Sequence, residues 1–497
     1  MKGMNLKMEL IKILNGVENY KAKGDLNIEI SNVENNSKYI TPGSLFVAIK
    51  GFDFDGHDYV EEAIENGATA VMLDLSSDLK KVKITKNITV IIVEDTRKAL
   101  AKVASNFYLN PAKKLRLIGV TGTKGKTTTT FMIKTILEKA GLKVGLIGTI
   151  ANYIGDRCLG FSNRTTPDSL ELQRLLAKMV EEKISIVIME VSSQSLKLNR
   201  VDGCEFEVGV FTNLYKDHIS AKEHPDMNDY FESKLKLFQM CKQGVINADD
   251  FKAGKIMANS KKCEFKTYGI DNFSDFLAKD ITITNKSVDY KVKLKDRNER
   301  IKVNIPGRFS VYNSLAAIAV AMKYGATVDH VKEALLEITV PGRSELISNN
   351  KELAIMIDFA HTAESLESIL EAVRTYTKGK IICVFGCGGD RDKTKRPLMG
   401  EVVGRNADFA IITSDNPRTE NPSDIIKDIE VGMKKTKGKY TIIEDRKKAI
   451  KEALKMATKR DLVILAGKGH EPYQEINGEK IPFDEREIVK ELLGENK

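Results

Sequence analysis

No apolar run in this chain approaches the roughly 20 residues that a bilayer-spanning helix needs. Its first eight residues also lack the sustained apolar core of a secretory leader. A membrane partner is therefore set aside, and a cytoplasmic location is the expectation. Cysteine is scarce, with six residues at 158, 204, 241, 263, 383 and 387. Only the last two lie near each other, at a spacing no zinc knuckle uses, so free and mostly buried thiols in a reducing compartment are expected. Also missing are an arginine-rich arm and a basic motif studded with aromatics, which argues against nucleic acid as a partner. The formal charge of +9 is spread along the chain and suits small anionic substrates. Lys434-Lys-Thr-Lys-Gly-Lys439 reads as solvated surface. What is present is the balance of a folded protein, 30% charged and 42% hydrophobic over 497 residues. That length exceeds a single core and suits three domains.

The most informative stretch is Leu117-Ile-Gly-Val-Thr-Gly-Thr-Lys-Gly-Lys-Thr-Thr128. Leu117, Ile118 and Val120 read as a short buried strand, and Lys126-Thr127-Thr128 open a helical pattern running to about Ala140. The glycines between them permit a tight turn that points backbone N–H groups and a helix N-terminus at one spot, as a polyphosphate requires. Lys126 would neutralise phosphate charge and the Thr127 hydroxyl would sit on Mg²⁺. The bland alternative is a glycine turn that serves packing alone. The strict phosphate-loop pattern asks for glycine five places before Gly125, where Val120 stands, so the loop is a variant form.

Around this loop the pattern predicts an α/β protein of three domains. Residues 1–112 carry short strands and a helical pattern over Asp58–Asn66, and Asn110-Pro111 closes the segment. Residues 113–340 alternate strand and helix, with strands expected at Val144–Thr149, Ile184–Glu190 and Val208–Thr212. That rhythm implies a largely parallel central sheet with helices on both faces. A β-ribbon is expected over 281–305 and a helix over Ser310–Tyr324, before a linker at Val340-Pro-Gly-Arg343. Residues 341–497 repeat the rhythm, with strands at Ile355–Phe359, Ile381–Phe385, Phe409–Ser414 and Leu462–Ala466. This third domain reads as Rossmann-like although it lacks the G-x-G-x-x-G fingerprint.

Function in open α/β sheets gathers at the carboxyl ends of strands. Glu190 ends one expected strand, and Asp217-His218 follows another. Together with Thr127 they could supply oxygen and nitrogen ligands to Mg²⁺ beside the phosphates. A histidine in isolation is more often an ordinary polar residue.

Seven motifs occur in the order of the Mur ligase family, which the chain resembles over nearly its whole length. They are Gly122-Thr-Lys-Gly-Lys-Thr127, Met189-Glu-Val-Ser-Ser193, Thr212-Asn-Leu-Tyr-Lys-Asp-His218, Asp358-Phe-Ala-His361, Gly386-Cys-Gly-Gly-Asp-Arg-Asp392, Asp415-Asn-Pro-Arg418 and Gly467-Lys-Gly-His-Glu471. The resemblance implies an ATP-dependent amide ligase of peptidoglycan synthesis. The last three motifs resemble the member that adds the third residue, with UDP-N-acetylmuramoyl-L-Ala-D-Glu as acceptor and meso-diaminopimelate as incoming amino acid. Lysine or a diaminopimelate analogue such as lanthionine is the alternative, and a nucleotide-dependent switch without ligase chemistry is a second. A monomer is expected.

The resemblance also implies roles residue by residue. Gly122, Thr123, Lys124, Gly125, Lys126, Thr127 and Thr128 would hold the phosphates, and Thr127, Glu190 and His218 the Mg²⁺. Lys234 matches the lysine the family carries as a carbamate, with Lys236 as the competing position. Carbamylation would turn that cation into a carboxylate-like anion able to join the magnesium shell. Asn313, Arg343, Asp358 and His361 would contact the nucleotide, and Ser37, Thr165, Thr166, Ser192 and Arg200 the UDP-sugar peptide. Arg391, Asp415, Asn416, Pro417, Arg418, Gly467 and Glu471 would form the amino-acid site. There Arg418 would read the carboxylate that lysine lacks and Glu471 an ammonium. Departures from the family pattern fall at Arg164, Gln194 and Leu198, near the muramoyl positions, and at Phe359.

Overall fold

The computed structural model describes residues 6–495, apart from 53, 78–83, 85–86, 163, 221–222, 295 and 348. The first five residues, part of the segment inspected for a leader, lie outside it. Among the described residues no helix is long and apolar enough to cross a membrane. The chain divides into two compact units, one of residues 1–275 with 316–326 and one of 276–315 with 327–497.

The first unit begins with a five-stranded sheet. Its strands are β1 (Lys21–Lys23), β2 (Asn32–Glu34), β3 (Ser44–Val47), β4 (Ala68–Asp74) and β5 (Thr89–Val93), in the order β1-β5-β4-β3-β2. All neighbours are parallel except β1 on β5. The helix expected over Asp58–Asn66 is a 3₁₀ turn at Gly56–Tyr59 followed by Val60–Glu65. Helix α1 (Thr96–Phe107) starts where Asp95 accepts from the N–H groups of Arg97 and Lys98, satisfying two orphan donors of its first turn.

The same unit holds an eight-stranded run built on the phosphate loop. In chain order it comprises β6 (Arg116–Thr121), α2 (Lys126–Lys139), β7 (Val144–Ile147), β8 (Ala151–Ile154), β9 (Arg157–Phe161), α3 (Ser169–Glu181), β10 (Ile186–Glu190), α4 (Ser193–Lys197), β11 (Phe206–Phe211), α5 (Met227–Gln239), β12 (Cys241–Asn247) and β13 (Glu264–Gly269). The strand order is β9-β8-β7-β10-β6-β11-β12-β13, parallel from β7 to β13. Every residue of β10 is buried, as a strand covered on both faces requires. The antiparallel hairpin β8–β9 extends the sheet where the apolar pattern points to no strand; it turns at Gly155-Asp156. Leu100, Val103 and Phe107 of α1 share one core with Leu170 and Ala177 of α3. Arg174 adds an ion pair to Glu34 at 2.8 Å, so the first sheet and the phosphate-loop sheet are joined side by side.

In the second unit the ribbon is three antiparallel strands, β14 (Phe276–Ile283), β15 (Val288–Leu294) and β16 (Arg297–Val303). Helices α6 (Arg308–Lys323), along which the chain passes between the units, and α7 (Val328–Glu337) follow. The last sheet has strands β17 (Glu345–Leu346), β18 (Ala354–Asp358), β19 (Ile381–Phe385), β20 (Phe409–Ile412), β21 (Tyr440–Ile442) and β22 (Leu462–Ala466). Their order is β17-β18-β22-β19-β20-β21, parallel but for the β17 edge, with buried clusters on its two faces. A hairpin of β23 (Tyr473–Ile476) and β24 (Glu479–Pro482) follows. The α/β reading and the Rossmann-like third sheet therefore stand.

Candidate active site

The loop between β6 and α2 is shaped by its glycines and pinned by the end of β11. Gly122 has φ +148° and Gly125 φ +86°, conformations that disfavour a side chain. A Cβ on Gly122 would come within 1.9 Å of the Thr212 hydroxyl. Lys124 N–H donates to Asn213 Oδ1 at 2.9 Å, and the Lys124 carbonyl accepts from Thr212 Oγ1 at 2.7 Å and from Asn213 Nδ2 at 3.1 Å. Thr123 Oγ1 lies 3.0 Å from the Tyr230 hydroxyl. The Lys126 ammonium donates back to the Gly122 and Thr123 carbonyls at 2.9 and 3.0 Å. Lys234, 1% exposed on α5, reaches the same Gly122 carbonyl at 3.0 Å. Burial, and then the Lys126 charge, push its ammonium well below the ordinary lysine range. Two lysine side chains thus bracket one loop.

Thr127 donates to Glu190 Oε2 at 3.0 Å, so the threonine and the strand-end carboxylate meet. Glu190 also accepts from the Thr149 N–H at 2.8 Å and the Thr149 hydroxyl at 3.0 Å. His218 stands at φ +58°, with Nδ1 2.9 Å from Glu223 Oε2. Among the described residues no three His, Cys, Asp or Glu side chains form a ready cage for a metal. Thr127 and Glu190 nevertheless offer hard oxygens beside a phosphate site, which suits Mg²⁺, an ion that keeps waters and phosphate oxygens in its shell.

Lys126, His218 and Lys234 open onto a cavity of about 650 Å³, also lined by Thr165, Thr166, Ser192 and Arg200. Thr166 Oγ1 donates to the Glu190 carbonyl at 2.9 Å and accepts from the Ser192 N–H at 3.0 Å. Arg200 donates to the Thr166 carbonyl at 3.2 Å and lies 2.9 Å from Asp168. Burial pulls its guanidinium below the ordinary range. Gln194, Leu198 and Arg164 all line this cavity. Arg164 grips both oxygens of Asp168 at 2.9 Å, so that carboxylate serves two arginines. Ser37 is not in the lining; its buried hydroxyl donates to Glu62 at 2.9 Å.

In the second unit, Arg343 lies over the Phe359 ring at 4.8 Å, and His361 and His470 flank that ring at 4.5 and 5.0 Å. Asp358 accepts from the Ser344 N–H at 2.8 Å; desolvation raises its carboxyl above the ordinary range, against the pull of Arg343. Asn313 is buried in α6. Among the amino-acid positions, Asn416 donates to Glu471 at 2.8 Å and accepts from Lys468, itself fully buried, at 2.9 Å. Arg418, at φ +51°, donates through Nε to Glu475 at 2.9 Å and through Nη1 to the Gly389 carbonyl at 2.6 Å. Asp415 Oδ2 is buried without a hydrogen-bond partner, and a Cβ on Gly467 would come within 2.5 Å of it. Arg391 is exposed at the surface, whereas Pro417 is buried.

Three family models match successive parts of the chain. They are described as Mur ligase family, catalytic domain over residues 29–108, Mur ligase middle domain over 120–321, and Mur ligase, glutamate ligase domain over 342–469. The chain belongs to the Mur ligase family. A relative from Caldanaerobacter subterraneus subsp. tengcongensis, named UDP-N-acetylmuramoyl-L-alanyl-D-glutamate–2,6-diaminopimelate ligase, is 52% identical over 98% of this chain and 100% of its own length. A Clostridium acetobutylicum ligase of the same name, numbered 1, is 47% identical over 98% and 100%. A solved structure of a ligase with that name matches with TM-score 0.70 at 28% identity, covering 98% of this chain and 99% of its own. MurF ligase from Thermotoga maritima in complex with ADP shares the fold, with TM-score 0.58 at 20% identity over 93% and 96%.

Several contributors to this Mur ligase site escape a sequence reading. Arg446 is fully buried and donates to Glu485 at 2.8 Å and to the Ala466 carbonyl at 2.8 Å, with Asp415 at 3.8 Å. Lys468 and Glu475 hold the amino-acid motifs from within or just beyond them. His224, fully buried, lies 2.5 Å from Asp229 and 2.9 Å from the Ser193 hydroxyl; burial lowers its imidazolium range against the pull of Asp229. The signal for Lys468 was present inside a quoted motif. Arg446 sits in a helix rich in lysine and reads as surface, and nothing local marks His224 as buried.

Proposed function

We propose that the protein joins meso-diaminopimelate to the D-glutamate γ-carboxylate of UDP-N-acetylmuramoyl-L-Ala-D-Glu, using ATP. The γ-carboxylate attacks the terminal phosphorus of ATP and ADP leaves. The amine of diaminopimelate then attacks the resulting acyl phosphate, and the tetrahedral intermediate collapses with loss of phosphate and a proton. The observation that carries the phosphoryl-transfer half is the pair of lysines, Lys126 and Lys234, turned to one loop carbonyl beside the Thr127–Glu190 bond. The substrate assignment draws on the names of the relatives above.

In this reading Lys126 leaves the loop carbonyls to neutralise the charge that spreads over the phosphate oxygens in transfer. Gly122, Thr123, Lys124, Gly125 and Thr128 wrap the phosphates with N–H groups. Thr127, Glu190 and His218 would hold Mg²⁺, which when bound draws charge off the transferring phosphoryl group. A carbamate on Lys234 would bring an anion into that shell; burial, which disfavours the ammonium, favours the amine nucleophile such a modification needs. Asn313, Arg343, Asp358 and His361 contact the nucleotide. Ser37, Thr165, Thr166, Ser192 and Arg200 hold the UDP-sugar peptide. Arg391, Asp415, Asn416, Pro417, Arg418, Gly467 and Glu471 hold diaminopimelate. The functional domains run 1–112, 113–340 and 341–497 and bind UDP, ATP and amino acid in turn. The enzyme works as a cytoplasmic monomer.

The test is an amino-acid panel with purified enzyme, ATP, Mg²⁺ and UDP-muramoyl dipeptide, read as ADP release and tripeptide formation. Turnover with meso-diaminopimelate and not with lysine is expected. A preference for lysine or lanthionine would move the specificity, and ATP turnover indifferent to both co-substrates would overturn the ligase assignment.

A further inference from the structure

The 650 Å³ cavity is rich in hydrogen-bond donors, with Lys126, Lys234, Arg164 and Arg200 all in its lining. Its carboxylates are already engaged, Asp168 by Arg164 and Glu223 by His218. A peptide brings amide N–H groups as well as carbonyls, and each N–H buried in such a cavity needs an acceptor. The lining hydroxyl of Ser193, at the first position of α4, is one whose polarity the fold dictates.

The dictation runs through His224. Its Nδ1 lies 2.5 Å from Asp229 Oδ2, and an ionised carboxylate only accepts, so Nδ1 carries the ring proton. In that neutral tautomer Nε2 is a lone pair, and Ser193, 2.9 Å away, must give it the hydroxyl hydrogen. The Ser193 oxygen then presents only lone pairs elsewhere. Asp229 is fixed in turn by Lys197 at 2.8 Å, and the His224 ring packs 5.0 Å from that of Tyr230.

We propose that Ser193 accepts the amide N–H of the L-Ala–D-Glu linkage of the acceptor substrate, with His224 as the positioning residue that sets its polarity. This rests on the muramoyl-peptide reading of the cavity, and the experiment separates the two. Binding of UDP-N-acetylmuramoyl-L-Ala-D-Glu is measured by calorimetry beside its depsipeptide analogue, in which an ester oxygen replaces that N–H. The wild type is expected to bind the amide about tenfold more tightly than the ester, the size of one lost hydrogen bond with its acceptor left facing an oxygen. Ser193→Ala should bind both equally, and His224→Phe should shrink the preference in the same way. His224→Gln, whose amide oxygen can accept at the Nε2 position, should restore most of it. KM for ATP should stay within about twofold throughout, because no ATP contact is altered. An amide preference that survives Ser193→Ala overturns the proposal, as does a wild type that binds amide and ester alike. Failure of the wild type to bind either compound would instead overturn the underlying reading of the cavity. Should Ser193→Ala fold poorly by circular dichroism, His224→Gln against His224→Phe carries the same contrast.

Discussion

In the proposed function the phosphate loop and the amino-acid motifs both serve charged ligands, yet they keep their charges differently. At the loop, Lys126 rests on backbone carbonyls, weak partners that a polyphosphate can replace. At the amino-acid motifs, charged groups already have charged partners: Arg418 with Glu475, Lys468 with Glu471, Arg446 with Glu485. The first arrangement stores affinity for any polyanion of suitable length. The second leaves little net charge to attract a ligand and selects by the geometry of the few donors and acceptors left over, such as Asp415 Oδ2. In the proposed function, energy source and substrate choice would thus be handled by different physics.

Breaking the second arrangement should have the largest effect. Arg418→Ala should reduce a diaminopimelate-over-lysine preference on the order of 10⁴ to about tenfold, because the guanidinium that would read the carboxylate lysine lacks is gone; competition assays with both amino acids measure it. Lys126→Ala should lower kcat on the order of 10³-fold with little change in the KM for diaminopimelate, the signature of lost transition-state stabilisation. A comparable rise in that KM would mean the two regions are not separable.

Lys234→Ala should cost roughly 10- to 100-fold in activity, as expected for a group acting through a metal shell. Added acetate or formate should return part of it if the missing function is an anion. A carbamate signal in wild type supplied with ¹³C-bicarbonate, absent in Lys234→Ala and present in Lys236→Ala, checks the assignment directly.

The smallest effect tests the second unit alone. Burial, then Arg343, holds the His470 imidazolium down at about 4 against an ordinary 6.5. The unfolded chain therefore takes up this proton first on acidification. The stability associated with neutral His470 is complete above pH 6.5 and is lost as pH falls towards 4. His470→Gln should show a shallower decline of the urea midpoint across that window, while activity near neutral pH reports whether the ring beside Phe359 also serves the nucleotide.

Much of this was legible along the chain. The strand, turn and helix around Gly122 occupy one consecutive stretch, residues 116–139, so local chemistry alone prescribes them. The expected helix from Lys126 to about Ala140 is observed as Lys126–Lys139. The ribbon was visible because period-two alternation needs no tertiary partner, as in the buried–exposed pattern of Val288–Leu294. The hairpin at 151–161 was not, since its strands carry too few apolar residues and owe their form to pairing with β7. Arg446 and Glu485 stand 39 positions apart in sequence, and neither helix announces that one of its charges faces inward.

From the sequence alone came the α/β class, the phosphate loop, the order of motifs and hence the Mur ligase family, because each is written in contiguous residues whose spacing has a direct physical meaning. Only the tertiary structure decided what those residues touch. It turned Lys126 and Lys234 onto one carbonyl, brought Thr127 to Glu190 across 63 positions, and buried His224 against Ser193. Such pairings depend on where distant segments cross in the folded chain, and there the burial that makes a charge or a hydroxyl consequential is also decided.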